Sequence, residues 1–260
     1  MNPIELFEFE RDLRVTRNAM DEKFVELSKK WRQEAMGRFY VYNFTSLGRP
    51  IIQFPQDMIA IQQLIWLVKP DLIIETGVAH GGSLIQSASQ LALLDMCESI
   101  TLGGAFDVAK SKRKVIGIDI DIREHNRCAI ESHPMSAYIE MIEGSSIAPE
   151  IVAQVHELAK GYNRIMVLMD SMHTHDHVLA ELNAYAPLVS ENSYCVVFDT
   201  FVEDLPVGFF KGRPWNPGNS PKSAVKKWLK SNTHFCIDEK IADVLMVTAS
   251  PDGFLRRTVG

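Results

Sequence analysis

Two aspartates directly follow two apolar runs in the second half of the chain. Asp170 follows the run at residues 164–169, and Asp199 follows the run at residues 194–198. Short apolar runs of this kind are typical of buried strands, and open α/β sheets bind ligands at the carboxyl ends of their strands. Because carboxylate oxygens are good ligands for divalent cations, the pattern predicts that Asp170 and Asp199 share one divalent ion.

A histidine-rich segment begins three residues after the first of these aspartates, with His173, His175 and His177. An imidazole titrates near neutral pH and can take a proton from a hydroxyl group. His173 is therefore the predicted base, with Asp170 as the second catalytic residue, although each histidine has an equal alternative as a helix cap or a solvated side chain. The segment is one residue short of the H-x-H-x-D-H pattern of zinc hydrolases, which are a rival class.

A glycine-rich turn at residues 72–83 reads Leu-Ile-Ile-Glu-Thr-Gly-Val-Ala-His-Gly-Gly-Ser. Gly77, Gly81 and Gly82 lack Cβ atoms, so the backbone can approach a ligand closely, and the free N–H groups of the next helix favour an anion. The turn does not match the dinucleotide fingerprint G-x-G-x-x-G. It therefore favours a nucleoside with a carboxylate end over a nicotinamide dinucleotide, while a purely structural turn is the alternative.

A parallel sheet would bring these residues together. The predicted strands are the run that begins at Leu72 and the runs at 115–119, 138–143, 164–169, 194–198, 235–238 and 244–248. Helical patterns separate the first five, which is typical of a doubly wound α/β sheet, and the last two runs predict an antiparallel hairpin. Asp119 ends the second strand and is predicted to accept hydrogen bonds from a ribose, beside a loop at Ser145 and Ser146.

The first part of the chain lies outside this pattern. Residues 4–34 predict one or two amphipathic helices that cover a core or a subunit interface, and we expect a homo-oligomer. The aromatic side chains of residues 37–55 are predicted to fill a core in preference to lining a pocket. Residues 201–221 form a long aromatic loop, and such loops are commonly functional. The predicted division is a helical extension at 1–56 and one α/β domain at 57–260.

Composition excludes several classes of function. The 260 residues carry a net charge of −6 with both signs interspersed, which argues against a nucleic-acid partner. No apolar run approaches the ~18 residues of a membrane span. The four cysteines lack a C-x-x-C pair and lie mostly in apolar or helical contexts that suit buried thiols. We therefore expect a cytoplasmic protein.

Six segments in order resemble the cephalosporin hydroxylase family, a branch of the class I S-adenosylmethionine-dependent methyltransferases. They are Lys69–Ser83, Gly117-Ile-Asp119, Glu143-Gly-Ser145-Ser, Asp170-Ser-x-His173, Val196-Val-x-Asp199-Thr and Gly253-Phe-Leu-Arg-Arg257. The resemblance implies a Rossmann-like seven-stranded fold, S-adenosylmethionine and magnesium. It implies cofactor contacts at Glu75, Gly77, His80, Gly81, Ser83, Asp119, Ser145, Ser146 and Asp170.

One position departs from that family. Its members commonly have a Glu-Asp pair after the fifth strand, whereas this chain has Phe198-Asp199. Three arrangements follow: fewer carboxylates plus water, Asp170 and Asp199 with a neighbouring histidine, or no metal.

The predicted activity is O-methylation of a hydroxyl group on a sugar or glycan precursor, assisted by magnesium. Hydroxylation would need iron or a flavin, which two carboxylates do not suggest. The alternative acceptor is a small natural product of the antibiotic type, and a non-catalytic S-adenosylmethionine-binding protein is a further rival.

Overall fold

The computed structural model describes residues 2–258, in which helices alternate with strands along the middle of the chain. The strands are β1 (Phe44–Ser46), β2 (Arg49–Ile51), β3 (Leu72–Thr76), β4 (Lys114–Asp119), β5 (Ile139–Glu143), β6 (Ile165–Met169), β7 (Tyr194–Val197), β8 (Phe235–Ile237) and β9 (Phe254–Arg257). The helices are α1 (Pro3–Met20), α2 (Glu22–Gly37), α3 (Pro55–Val68), α4 (Gly82–Thr101), α5 (Glu124–Glu131), α6 (Pro149–Ala159), α7 (His175–Tyr185), α8 (Pro221–Leu229) and α9 (Glu239–Leu245).

Seven strands form one sheet in the order β5-β4-β3-β6-β7-β9-β8. The first five are parallel, whereas β9 runs antiparallel to β7 and β8 antiparallel to β9. This confirms the predicted Rossmann-like, mostly parallel sheet with an antiparallel C-terminal pair. The strand order reverses between β3 and β6, so the turns after these two strands flank the crevice where such sheets bind ligands.

Helices cover both faces of the sheet, because successive strand residues point to opposite sides. Ile73 packs into a core with α3 and α4, whereas Leu72 and Ile74 pack into a second core with α6, α7 and α8. Burial on both faces explains why the central strands read as continuous apolar runs.

The predicted final strand at residues 244–248 is wrong. Val244 and Leu245 end α9, and Met246 leaves the helix with a positive φ of 57°. The actual last strand, β9, follows Gly253, where a Cβ would collide with the Val197 carbonyl oxygen. A short apolar run does not distinguish a strand from a helix end, and here the close approach at Gly253 decides which segment pairs with β7.

The N-terminal helices are capped by their own sequence. Asn2 and Glu5 form a capping box on α1, and the Asp21 side chain accepts hydrogen bonds from two amides at the start of α2. The helix α2 is anchored by Arg32, which contacts Asp204 at 3.3 Å. In contrast, α1 buries none of its side chains and exposes a set of apolar ones, namely Ile4, Leu6, Phe7, Phe9, Leu13 and Met20.

Between these helices and the sheet, a segment predicted to be irregular contains a small hairpin. β1 and β2 pair antiparallel from Phe44↔Ile51 to Ser46↔Arg49. The expected aromatic core is only partly correct. Tyr40 packs against Phe54 in the core, whereas Phe39 and Tyr42 are exposed along a cavity.

Two further sequence expectations concern the surface. None of the helices within residues 2–258 is long and apolar enough to cross a membrane. The expectation of mostly buried thiols is wrong, since only Cys195 is buried whereas Cys128 and Cys236 are exposed. Cys128 lies on the short helix α5 and Cys236 on the edge strand β8, where side chains can face solvent.

Candidate active site

An acid cluster lies where β6 and β7 end. Asp170 and Asp199 converge there with His173, and one ligand atom from each lies within 4.8 Å of the others. The His173 Nε2 atom is 3.1 Å from Asp199 Oδ2. Asp199 has a positive φ of 55°, an uncommon conformation for a residue other than glycine that is found at ligand sites. The sequence predicted that all three residues would meet at this edge of the sheet.

Phe198 cannot serve as the acid that the related family carries after the fifth strand. Its side chain is 2% exposed and packs in the hydrophobic core, and its amide donates to the Met169 carbonyl oxygen at 2.9 Å. Among the described residues, the third donor beside the two aspartates is the imidazole of His173.

Burial and repulsion dominate the electrostatics of the cluster. Burial raises the pKa of Asp170 well above its usual value, and the nearby charges of Asp199, Glu75, Asp57 and Glu181 raise it further. Burial also raises the pKa of Asp199, while the charge of His173 lowers it. Burial raises the pKa of both Asp57 and Glu75 to about 7. A cation at this position would stabilise every one of these carboxylates.

Glu75 lies inside the sheet, at the base of the glycine turn. Its buried Oε1 atom has no hydrogen-bond partner among residues 2–258, while Oε2 accepts a long hydrogen bond of 3.4 Å from Ser87. The Ser83 and Ser87 hydroxyls partly offset the rise in its pKa. Ser83 therefore faces Glu75, within the predicted cofactor set.

The glycine turn is held by Asp119. The Asp119 Oδ2 atom accepts hydrogen bonds from the amides of Val78 at 2.8 Å and Ala79 at 3.2 Å. Gly77 adopts φ 92°, and a Cβ there would collide with the carbonyl oxygen of Asp170. The need for glycine at 77 thus comes from close packing of the turn against the residues after β6, as well as from any ligand.

Two residues that the sequence did not single out hold the outward carbonyl groups of this turn. Arg49 donates to the His80 carbonyl oxygen at 2.6 Å and to Asn126 Oδ1 at 2.9 Å. Asn126, which is buried on α5, donates to the Ala79 carbonyl oxygen at 2.9 Å. No local sequence pattern indicates this network, because Arg49 and Asn126 are 77 residues apart in the chain.

The loop after β5 is also held by side chains of α7. The Ser146 hydroxyl donates to the buried carboxylate of Glu181 and lies 3.1 Å from His177 Nε2. Ser171, directly after the catalytic candidate Asp170, donates to the same Glu181 oxygen at 2.7 Å. Sequence reasoning missed Glu181, which joins the two loops, and Ser145 lies half-buried beside them.

The three histidines of the 173–177 segment have three different surroundings. His173 joins the acid cluster, and His177 contacts Ser146. The His175 amide donates to Asn219, and its ring lies 2.7 Å from the Ser223 hydroxyl on α8. The segment therefore does not assemble the two-metal cluster that the hydrolase pattern would require.

A cavity of about 760 Å³ opens from the acid cluster towards the N-terminal hairpin and the long loop. Its inner end is formed by Gly77, His80, Asp170, His173 and Asp199. Its walls are largely aromatic, with Phe39, Tyr42, Phe209, Phe210 and Trp215. The Trp215 ring stands edge-on to His173 with ring centroids 4.8 Å apart. The predicted functional loop thus forms one wall of the cavity.

Residues 38–258 match the family described as Rhamnosyl O-methyltransferase/CmcI. The chain belongs to this family. The family and the enzyme class predicted from the sequence, an O-methyltransferase of the cephalosporin hydroxylase type, are thereby confirmed.

Individual relatives are distant but extend over most of the chain. A rhamnosyl O-methyltransferase of Mycobacterium tuberculosis strain H37Rv is 27% identical over 205 residues, which is 77% of this chain and 73% of that protein. The Mycobacterium leprae protein of the same name is 27% identical over 182 residues, 70% and 71% of the two chains.

Solved structures show the same fold. CmcI in its apo form aligns with a TM-score of 0.56 and 19% identity, over 84% of this chain and 78% of that one. CmcI with Mg and SAM aligns with a TM-score of 0.55 over the same shares, also at 19% identity.

Proposed function

We propose that the protein transfers a methyl group from S-adenosylmethionine to a hydroxyl group of a sugar or glycan precursor, with magnesium bound at the acid cluster. The observation that carries the proposal is the position of Asp170, His173 and Asp199, which lie between the glycine turn and the aromatic cavity. The rhamnosyl O-methyltransferase relatives favour a sugar acceptor. A hydroxyl group of a small natural product is the alternative.

The residues that we propose to bind the cofactor lie near the carboxyl ends of the strands. Glu75, Gly77, His80, Gly81 and Ser83 would surround the methionine part, near Asp170. Asp119 would hold the ribose, for which its Oδ1 atom remains weakly engaged, by one 3.3 Å hydrogen bond. Ser145 and Ser146 would border the adenine. When bound, S-adenosylmethionine supplies an electrophilic methyl group on a sulfonium.

The acid cluster fits a divalent cation. Asp170 and Asp199 offer carboxylate oxygens, and their raised pKa values reflect a negative charge that a cation would neutralise. When bound there, magnesium makes a coordinated hydroxyl group more acidic. Oxygen donors suit magnesium, with water completing its shell, and His173 stands beside them as base or third ligand.

The protein residues then act on the acceptor proton. Methyl transfer forms an oxygen–carbon bond as the sulfur–carbon bond breaks, and the hydroxyl group loses its proton. The other imidazole nitrogen of His173, Nδ1, takes that proton, while Nε2–H donates to the Asp199 carboxylate at 3.1 Å, which stabilises the resulting imidazolium. The aromatic walls exclude water and offer flat apolar faces to a sugar ring.

The remaining sequence predictions are also part of this proposal. The apolar side chains on α1 are exposed, and a second copy of the chain would cover them, which gives at least a homodimer. The division into residues 1–56 and 57–260 separates that interface from the catalytic sheet. The site of action would be the cytoplasm.

The test is transfer of labelled methyl from S-adenosylmethionine to methyl α-rhamnopyranoside and to a panel of natural-product alcohols. A chelator should stop transfer and magnesium should restore it. His173→Ala should lower kcat by roughly 10²-fold or more, whereas His175→Ala, on the same segment but against α8, should not. Failure to bind S-adenosylmethionine, or activity that survives both chelation and His173→Ala, would refute the mechanism.

A further inference from the structure

A basic segment forms the outer wall of the cavity. Residues 209–215 read Phe-Phe-Lys-Gly-Arg-Pro-Trp and contain no acid. Lys211 and Arg213 are both exposed and both line the cavity. Their side chains line the same cavity as the carboxylates of Asp170 and Asp199. The cavity therefore contains two cationic side chains on its loop wall as well as the acid cluster.

The two acids nearest to this segment along the chain are engaged elsewhere. Asp204 contacts Arg32 at 3.3 Å and Lys222 at 2.9 Å. Glu203 accepts a hydrogen bond from the Gly218 amide at 2.9 Å. Over residues 2–258, the ion pairs of the protein do not include Lys211 or Arg213. In a chain of net charge −6, these two cations line a ligand cavity without forming an ion pair among the described residues.

The segment is fixed in place by two asparagine side chains that follow it. The Asn219 amide group donates to the Pro214 carbonyl oxygen at 2.9 Å, and its oxygen accepts from the His175 amide at 2.9 Å. The Asn216 side chain accepts from the Gly208 amide at 2.8 Å. The wall is thus joined to the start of α7, close to the catalytic candidate His173.

The order of groups along the wall fits a sugar with a charged substituent. The Arg213 Cζ atom lies 5.1 Å from the Trp215 ring centroid, and the His173 ring centroid lies 4.8 Å from the same point. Arg213 and His173 thus both lie against the Trp215 ring, so an anionic substituent of a sugar held at Trp215, with one hydroxyl group at His173, would be within reach of the Arg213 guanidinium. A guanidinium pairs with phosphate or carboxylate through two parallel hydrogen bonds.

We propose that the acceptor is an anionic glycoside, whose phosphate or carboxylate group binds Arg213 and Lys211 while its sugar ring packs on Trp215. This inference rests on the proposed methyl transfer to a sugar. The contact with Arg213 and Lys211 would orient the acceptor so that one hydroxyl group of its sugar ring lies at His173.

The test is calorimetric binding to the protein loaded with S-adenosylhomocysteine and magnesium. The probes are UDP-glucose, methyl glucuronide and neutral methyl glucoside. At least one anionic probe should bind roughly tenfold more tightly than methyl glucoside, and added salt should reduce the difference. Tighter binding of UDP-glucose would indicate a diphosphate, and tighter binding of methyl glucuronide would indicate a carboxylate.

Variants separate this inference from the proposed function. Arg213→Gln and Lys211→Gln should remove the preference for the anionic probe and leave S-adenosylhomocysteine binding unchanged. Lys226→Gln, which removes an exposed charge on α8, is the matched control and should change neither. Equal binding of charged and neutral probes, or no binding of either anionic probe at millimolar concentration, overturns the inference. Failure of S-adenosylhomocysteine to bind overturns the proposed function instead.

Discussion

At the glycine turn the polar groups of the protein pair with one another, whereas at the acid cluster they face one another with like charge. Asp119 accepts two amide hydrogen bonds from the turn, and Arg49 and Asn126 hold its carbonyl groups. At the ends of β3 and β6, burial raises the pKa of both Asp170 and Glu75, and the charges of Asp199 and Glu75 raise the pKa of Asp170 further.

The difference predicts how the stability of each region depends on a bound ligand. A turn whose backbone is already fixed can bind a cofactor without the entropic cost of ordering a loop. Buried like charges are unstable alone, since each carboxylate raises the free energy of the next. The acid cluster is therefore the region whose stability should depend on a bound cation, and the turn is the region that should be stable without any ligand.

The largest expected effect is at the acid cluster. Asp170→Asn or Asp199→Asn should lower kcat by about 10³-fold, because the acceptor hydroxyl loses the charge that assists its deprotonation, while the Kd for S-adenosylmethionine should change less than about threefold. The same variants should raise Tm in the absence of metal, since one of the repelling charges is gone. Initial rates, calorimetry and thermal melts measure the three quantities.

Asp176→Asn is the matched control, because Asp176 lies in the same segment but is exposed at the start of α7. It should leave kcat and Tm nearly unchanged. A loss of cofactor affinity as large as the loss of kcat would show that Asp170 acts mainly on the cofactor, and the contrast between the two regions would disappear.

The acid cluster could be predicted from sequence because each aspartate directly follows a strand. Once the strands are parallel neighbours, Asp170 and Asp199 have to meet, and His173 is only three residues away. The same reasoning placed Asp119 beside Gly144, whose amide donates to the Asp119 carbonyl oxygen at 2.8 Å. The sheet fixes the positions of residues that directly follow a strand.

The contacts that fix the turn could not be predicted in this way. Arg49 lies 31 residues from His80 and 77 residues from Asn126 in the chain, and it comes from a hairpin with no apolar pattern. Glu181 meets Ser146 from the middle of α7. The prediction of the final strand was wrong for a related reason. The packing of Gly253 against Val197 is a tertiary contact, which no local sequence pattern indicates.

The second prediction tests the buried charge through pH. Glu75 has its pKa raised from 4.5 to about 7 on folding, so the folded protein binds a proton more tightly than the unfolded chain. Its contribution to stability is fully present below about pH 4.5, falls as pH rises towards 7, and stays low above that. Asp57, raised from 3.8 to about 7, acts in the same direction.

Glu75→Gln should therefore increase the metal-free free energy of unfolding at pH 8 by roughly 1–3 kcal/mol and have little effect at pH 5. Urea denaturation at both pH values measures the difference. Glu191→Gln, at an exposed acid in a loop, is the control and should show no such pH dependence. Equal effects of Glu75→Gln at pH 5 and pH 8 would mean that burial does not raise the pKa of the Glu75 carboxyl group.

The smallest expected effect is at the glycine turn, where Arg49→Ala should raise the KM for S-adenosylmethionine by about tenfold and change kcat less than twofold. The variant leaves the His80 carbonyl oxygen without two donors, at 3.0 Å from Nε and 2.6 Å from Nη2, so the turn loses its fixed shape. Arg38→Ala removes an exposed arginine that pairs with Glu34 on the surface and is the control. The neighbouring residues Pro50 and Ile51 line the acceptor cavity. A fall in kcat with an unchanged KM would therefore assign Arg49 to the acceptor side. The hydrogen-bonded turn and the acid cluster would then not separate cofactor binding from catalysis.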